Sequence, residues 1–319
     1  MSLFASWLAS PPPDAAIEIA ADRVTAAAVT LRSDALIISA HASEALRPGV
    51  VTPSLTGPNV QDRHAAIGTI RRVIEKLGTR PRRVALVIPD TAVKVSLLRF
   101  DHVPARRDDF EQLVRWQLRK AAPFPVESAS VTWSPALSLP AGGREFLVEL
   151  ARRDGVREYE SLCEDAGVYA GLVDTATFSL LGVFAGAQAD EGDWLLVHVR
   201  SDYTSIAIVR GDVVIFYRNR PEDGQEGLPD LVHQTAMYYQ DRLSGGGFTR
   251  VHLAGAGRAP GAAETARRGL EERLGVPVEP LDPTRAAGLT VRINATPDLM
   301  DLVGPSIGLL RRSHGEVAA

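Results

Sequence analysis

Three short segments of the chain carry the residue types from which a phosphate or nucleotide site is built. Glu18 lies in a predicted β-hairpin, where a carboxylate can order Mg²⁺ through water. Arg200 lies in a second predicted hairpin and offers a cation for direct phosphate binding. Gly255-Ala256-Gly257 follows a predicted strand, and glycine lets backbone N–H groups approach a ligand. Simpler interpretations stand beside these. A strand-to-helix turn explains the glycines, and for Arg200 we favour a surface or lobe-bridging arginine paired with an acid.

Other catalytic signatures are missing from the sequence. There is no G-x-S-x-G elbow, no Walker sequence and no C-x-x-C pair. His198 has no second histidine or cysteine at metal-ligand spacing, and Cys163 is the only cysteine, so we expect His198 to be structural. We therefore predict no catalytic residue and no metal site.

The composition is typical of a folded cytoplasmic protein. With 319 residues, 45% of them hydrophobic, the chain can form two lobes, since domains usually run to about 100–200 residues. A net charge of -4 gives no general attraction to nucleic acid or anionic lipid. A single cysteine excludes an internal disulfide, and no run approaches the ~20 apolar residues of a membrane helix. The sequence predicts a cytoplasmic protein with no nucleic-acid partner and no membrane span.

The strand and helix patterns repeat in two halves of the chain. The first half has three hairpin strands, a helix ended by Gly78 and an apolar strand, predicted at 15–20, 23–31, 35–41, 61–77 and 83–88. The second half has the same elements and a further helix, predicted at 194–199, 205–210, 212–218, 228–243, 250–254 and 262–274. Because hairpins open both halves, the pattern favours two similar lobes over a doubly wound sheet.

A small α+β unit interrupts the first half. Its predicted strands and helices are 93–100, 108–122, 130–137, 145–151 and 155–166. A strand at 170–173 and a helix from 174 to about 187 then return to the first half. The predicted first lobe comprises residues 14–88 and 168–190, and the inserted subdomain comprises 89–167. The predicted second lobe comprises 191–298, and a C-terminal helix at 299–319 returns to the first lobe.

Several short segments, spread from Ala15 to Arg312, match one known family in order and spacing. They are Ile88-Pro89-Asp90, Val93, Leu98 to Pro104, Trp116-Gln117, Ala122-Pro123-Phe124, Val173-Asp174, Phe178-Ser179-Leu180, Phe216-Tyr217-Arg218, Tyr238-Tyr239, Val251 to Gly257 and Ile307-Gly308-Leu309. The chain thereby resembles the PilM proteins of type IV pilus assembly, which are related to FtsA and to the cytoplasmic domain of type II secretion component L. Gln117 stands where the family has a glutamate. The resemblance implies an α/β fold of the actin-like, ribonuclease H-like duplicated class, with an inserted α+β subdomain.

The resemblance also implies a nucleotide cleft, and this sequence departs from the family there. Glu18 and Ala20 stand where the family has aspartate and glycine in the first hairpin. In the second hairpin His198 and Arg200 stand at those positions, and the long Arg200 side chain fills the space that a phosphate would approach. If nucleotide binding is retained, the residues implied are Glu18, Ala20, Arg200, Thr204, Gly255 and Gly257. No cofactor is expected, hydrolysis is not expected, and ATP with Mg²⁺ is the alternative.

The implied function is that of a scaffold at the cytoplasmic face of the inner membrane. In the family the N-terminal tail of the membrane protein PilN binds as an extended peptide between the insert and the first lobe, and other pilus subunits are further partners. The candidate groove residues are Phe100, Val103, Trp116, Phe124 and Trp133, each of which core packing explains equally well.

Two other functions stay open at this point. One is a working ATPase in which Glu18 takes the metal role. The other is a subunit similar to type II secretion component L, which predicts a membrane helix after the fold, whereas the sequence reaches Ala319 without one. A homo-oligomer is also left open.

Overall fold

Three antiparallel strands, β1 (Ala15–Ile19), β2 (Arg23–Arg32) and β3 (Ala35–Ala45), open the computed structural model. The structure describes residues 11–33, 35–138, 142–184, 192–222, 227–257, 261–290 and 293–318. Helix α1 (Arg63–Leu77) follows, capped by Asp62 and ended by Gly78 in the left-handed conformation (φ 72°), as predicted. Strands β4 (Arg83–Ile88) and β8 (Tyr169–Thr175), with the short β14 (Gly288–Leu289), complete a six-stranded sheet of order β14-β3-β2-β1-β4-β8.

The second sheet repeats this arrangement. Its order is β11-β10-β9-β12-β13, from β9 (Asp193–Val199), β10 (Tyr203–Arg210), β11 (Val213–Pro221), β12 (Arg250–Ala254) and β13 (Val278–Pro280). In both sheets the first strand of the meander pairs in parallel with the strand after the helix, at Ile17 with Leu86 and at Val197 with Leu253. Helices α5 (Leu228–Leu243) and α6 (Ala262–Leu274) cover one face. The predicted duplication is confirmed, and we call each sheet with its covering helices a lobe.

The inserted unit has a sheet and a core of its own. Strands β5 (Val93–Phe100), β6 (Ala129–Ser138) and β7 (Arg144–Arg152) form a sheet of order β5-β7-β6, and helix α2 (Arg107–Leu118) packs on it. Phe100 and Phe146 meet edge to face at 5.9 Å in this core. The α+β character of the insert is therefore as predicted.

Two local predictions differ from the structure. Helix α3 (Arg153–Ala166) was expected within the insert, but its Tyr159 and Leu162 pack in the core of the first lobe beside Ile70 of α1. An amphipathic helix reveals an apolar face without revealing which sheet covers it. Helix α4 (Ala176–Leu181) begins two residues later than predicted, because Asp174 pairs with Val87 and prolongs β8.

The last helix, α7 (Pro297–Ala318), packs on the face of the first sheet opposite α1. Val303, Ile307 and Leu310 are buried there against Val29 and Val87. A side chain at Gly308 would place its Cβ 2.0 Å from the carbonyl oxygen of Ser179, so glycine permits the close approach of α7 to α4. Within the described ranges no helix has the length and apolar character to cross a membrane.

Candidate functional site

The first hairpin turn of each lobe is closed by the same backbone hydrogen bond. The backbone N–H of Ala20 donates to Arg23 O at 2.9 Å, and that of Arg200 donates to Tyr203 O at 2.8 Å. Ala20 and Arg200 are thus structurally equivalent, as the sequence comparison of the two halves implied. The two turns lie at the bottom of the cleft between the lobes.

Across this cleft Arg200 pairs with Glu18. Arg200 Nη2 lies 2.5 Å from Glu18 Oε1, and both side chains are buried. Burial raises the pKa of Glu18, against the opposing effect of the Arg200 charge. Burial also disfavours the guanidinium charge, but Glu18 and nearby acids outweigh it and raise the pKa of Arg200. The cleft therefore holds an internal ion pair where the resemblance implies metal and phosphate.

A second polar contact between the lobes is centred on Asp90, which follows β4. Its carboxylate accepts hydrogen bonds from Thr177 N at 3.0 Å, from the Thr177 hydroxyl, and from Ser205 Oγ of the second lobe at 2.6 Å. Burial raises the pKa of Asp90, and these hydrogen bonds oppose the shift.

His198 joins this network through Thr177. Its Nδ1 lies 2.8 Å from Thr177 Oγ1, and because that hydroxyl donates to Asp90, Nδ1 is the donor to it. His198 is buried, and its role stays a prediction. No group of three His, Cys, Asp or Glu side chains in the described part of the chain is arranged to hold a metal ion.

The Gly255-Ala256-Gly257 loop forms the third wall of the cleft. Gly255 has φ +79°, and a Cβ there would lie 2.0 Å from the carbonyl oxygen of Val199, so the loop requires glycine. Its N–H donates to Asp301 Oδ1 of α7 at 2.6 Å. Burial raises the pKa of Asp301, opposed by hydrogen bonds from this loop and by Arg200. A carboxylate of the chain thus occupies a backbone donor of this loop.

The space left in the cleft is small. A cavity of about 240 Å³ remains, lined by Arg23, Arg200, Gly255, Gly257, Asp298, Asp301 and Leu302. Small-molecule sites usually measure about 300–1,000 Å³, so this cavity is smaller than the usual range. Its wall carries the carboxylates of Asp298 and Asp301 as well as the cations of Arg23 and Arg200.

The structure gathers four of the six residues proposed for nucleotide contact. Glu18, Arg200, Gly255 and Gly257 surround the bottom of the cleft. Ala20 is buried in the hairpin turn, and Thr204 is buried in β10 opposite Val199. The sequence analysis missed Asp298 and Asp301, although their spacing places both acids on one face of the final helix.

A separate groove runs between the insert and the first lobe. Its first part is a cavity of about 380 Å³ whose walls include Thr132 to Ser134 of β6, Glu149 of β7, Leu172 to Asp174 of β8, Phe178 and Arg312. It continues into a cavity of about 640 Å³ that shares Ser134, Leu147, Phe178 and Arg312 and extends to β11 of the second lobe. We call the two cavities together the β6–β8 groove. In their sheets β6 and β8 are edge strands.

The five residues proposed for a partner groove do not lie together. Trp133 lies on β6 in the wall of the β6–β8 groove, but its ring packs on Phe110 in the core of the insert, 5.7 Å between ring centroids. Phe124 lines another cavity of about 510 Å³ near the start of α3. Trp116 is 61% exposed on α2. Phe100 is buried in the core of the insert, and Val103 packs against that core. The sequence analysis named neither Glu149 nor Asp174 for the groove, although Asp174 lay in a matched segment.

The duplicated sheets, the cleft and the inserted unit define a two-lobed protein of the actin-like class. The family model of type IV pilus assembly protein PilM matches residues 16–241. The chain belongs to this PilM family, so the family and fold expected from the sequence are confirmed.

The fold is also similar to solved structures. A PilM-PilN type IV pilus biogenesis complex matches with a TM-score of 0.81 and 18% identity, over 97% of this chain and 100% of that chain. A Bacteroides thetaiotaomicron protein with an actin-like ATPase fold and unknown function matches with a TM-score of 0.49 and 12% identity, over 89% and 95%. The cytoplasmic domain of EpsL of Vibrio cholerae has a TM-score of 0.46 and 11% identity, over 75% and 80%. No match is found among curated protein sequences.

Proposed function

We propose that this protein is a cytoplasmic scaffold of a type IV pilus machine that captures the N-terminal tail of a PilN-like inner-membrane protein in the β6–β8 groove. Membership of the PilM family supports a role in pilus assembly. The similar solved structure is a complex of PilM with PilN, which supports the choice of partner. Through this partner the scaffold is held at the inner face of the inner membrane.

The observation that carries the proposal is the contrast between the two clefts. The nucleotide cleft is closed by the Glu18–Arg200 pair and by the contact of Asp301 with the glycine loop. The β6–β8 groove, in contrast, offers open volume between elements of the insert and the first lobe. We infer that peptide capture is the retained activity and that it needs no nucleotide.

The groove is suited to an extended peptide. The edge strands β6 and β8 have backbone groups with which a further strand can pair, and this kind of pairing supplies affinity in many peptide complexes. Leu147, Leu172 and Phe178 supply apolar walls for side chains of the peptide. Backbone pairing and side-chain pockets together give the affinity and specificity that capture of a tail requires.

The test is a calorimetric titration of the protein with a synthetic peptide of the PilN-like tail. Ser134→Trp places a large side chain in the groove at an exposed position of β6, and we expect it to weaken binding roughly tenfold or more, about 1.4 kcal/mol. Ser138→Trp on the same strand lies outside the groove lining and is the matched control. Absence of binding to the unmodified protein, or equal binding by both variants, would contradict the proposal.

A further inference from the structure

Glu149 stands out among the charged groups of the β6–β8 groove. It lies on β7 in the groove wall, and Thr132 Oγ1 donates to its Oε2 at 3.1 Å. The neighbouring Asp174 accepts hydrogen bonds from Thr175 N at 2.8 Å and from Arg312. Within the described ranges no ion pair involves Glu149. Arg312 lies near both carboxylates, and its ion pair is with Asp174.

The electrostatic environment of Glu149 favours an incoming cation. Burial and, secondarily, the charge of Asp174 raise the pKa of Glu149 to about 8, while Thr132 and Arg312 act in the opposite direction. Asp90 adds a smaller effect of the same sign as Asp174. A second positive charge next to Glu149 would stabilise its ionised form.

We propose that the β6–β8 groove selects a lysine or arginine side chain of the bound tail, which pairs with Glu149. The proposal rests on the proposed function and adds the chemistry of the partner. The apolar side chains of Leu147, Leu172 and Phe178 in the groove wall suit the long apolar stem of such a side chain. Arg312 already pairs with Asp174, so the incoming cation pairs with Glu149.

The experiment compares two synthetic peptides of the PilN-like tail on three forms of the protein. One peptide has the native sequence, and in the other norleucine replaces each lysine and citrulline replaces each arginine. The proteins are the unmodified chain, Glu149→Gln and the control Glu145→Gln, which changes a carboxylate on the same strand that pairs with Arg99.

We expect the unmodified protein and Glu145→Gln to prefer the native peptide by roughly tenfold or more, as a charge-assisted hydrogen bond provides. Glu149→Gln is expected to bind both peptides with the affinity of the neutral one. Thermal unfolding of each variant verifies that it is folded. Equal preference in Glu149→Gln and the unmodified protein, or a tail without lysine or arginine, overturns this inference alone. Absence of any binding to the unmodified protein rejects the proposed function together with it.

Proton release gives an independent readout. Because burial and Asp174 raise the pKa of Glu149 to about 8, we expect pairing with a cation at pH 7 to release a proton. Calorimetry in buffers of different ionisation enthalpy should detect this release at pH 7 in the unmodified protein and a smaller one in Glu149→Gln. The groups facing Glu149 are Thr132, Asp174 and Arg312, with Asp90 further off. Identical proton release by both proteins overturns the assignment.

Discussion

Arg200 Nη2 lies 2.5 Å from Glu18 Oε1 where the two lobes meet, although 182 residues separate them along the chain. Each residue stands where the resemblance of the sequence implies a group that binds metal or phosphate, and the two side chains complement each other in charge. A buried cation and a buried carboxylate are costly apart and compensate when paired. The lobes are thus joined in this cleft by side chains of the chain itself.

The first prediction concerns this pair. Arg200→Met leaves the Glu18 carboxylate buried without its cation, which we expect to lower the free energy of unfolding by about 3–5 kcal/mol. Urea denaturation measures the change. The double variant Glu18→Gln/Arg200→Met removes both charges and should recover most of the loss, because the uncompensated charge disappears. A double variant as unstable as the single one would show that the charge pairing is not the cause.

The second prediction concerns nucleotide. We expect no heat of binding when ATP and Mg²⁺ are titrated into the protein at about 100 μM, well above the micromolar Kd of a functional site. The reason is that the cavity beside Arg200 is small and carries Asp298 and Asp301 in its wall. Micromolar binding that Glu18→Gln abolishes would instead support the ATPase alternative.

The third prediction concerns the glycine loop of the cleft. In Gly255→Ala the alanine must adopt a positive φ, and its Cβ would lie 2.0 Å from a backbone oxygen. We therefore expect the free energy of unfolding to fall by about 2–4 kcal/mol. Gly261→Ala is the control, because it has the same φ of +79° with no atom within 4 Å. That control should lose only the ~1–2 kcal/mol of the left-handed conformation. Equal losses in urea denaturation would indicate that the contact with Val199 is unimportant.

The duplicated fold was predictable because its information is local. Hairpin strands, the cap at Gly78 and the apolar run of β4 each follow from neighbouring residues. The placement of α3 depends on which sheet covers its apolar face, and one helix pattern does not specify that.

The candidate sites depended on contacts between distant parts of the chain. The sequence analysis predicted that Glu18 and Arg200 depart from the family pattern, but no periodicity in the sequence indicates that they pair. The contact of Asp301 with Gly255 and the position of Glu149 beside Asp174 are likewise products of tertiary packing. Some residues of the candidate sites could therefore be predicted from the sequence, but the side chains that they contact could not.

The last prediction is a pH dependence of stability caused by Glu149. Burial and Asp174 raise its pKa in the folded protein from 4.5 to about 8, so the folded state holds a proton that the unfolded chain loses. The contribution is fully present below pH 4.5 and is lost as pH rises through about 8. Between these values the free energy of unfolding should fall by at most about 1.4 kcal/mol per pH unit from this group.

The Glu149→Gln variant isolates that contribution. It has no titrating group at this position, so its stability should decline less than that of the unmodified protein between pH 5 and pH 8, as urea denaturation at each pH would measure. Glu145→Gln, whose carboxylate pairs with Arg99, should retain the slope of the unmodified protein. Parallel pH profiles for all three proteins would mean that Glu149 ionises normally in the groove, and its preference for a cation would then lose its electrostatic basis.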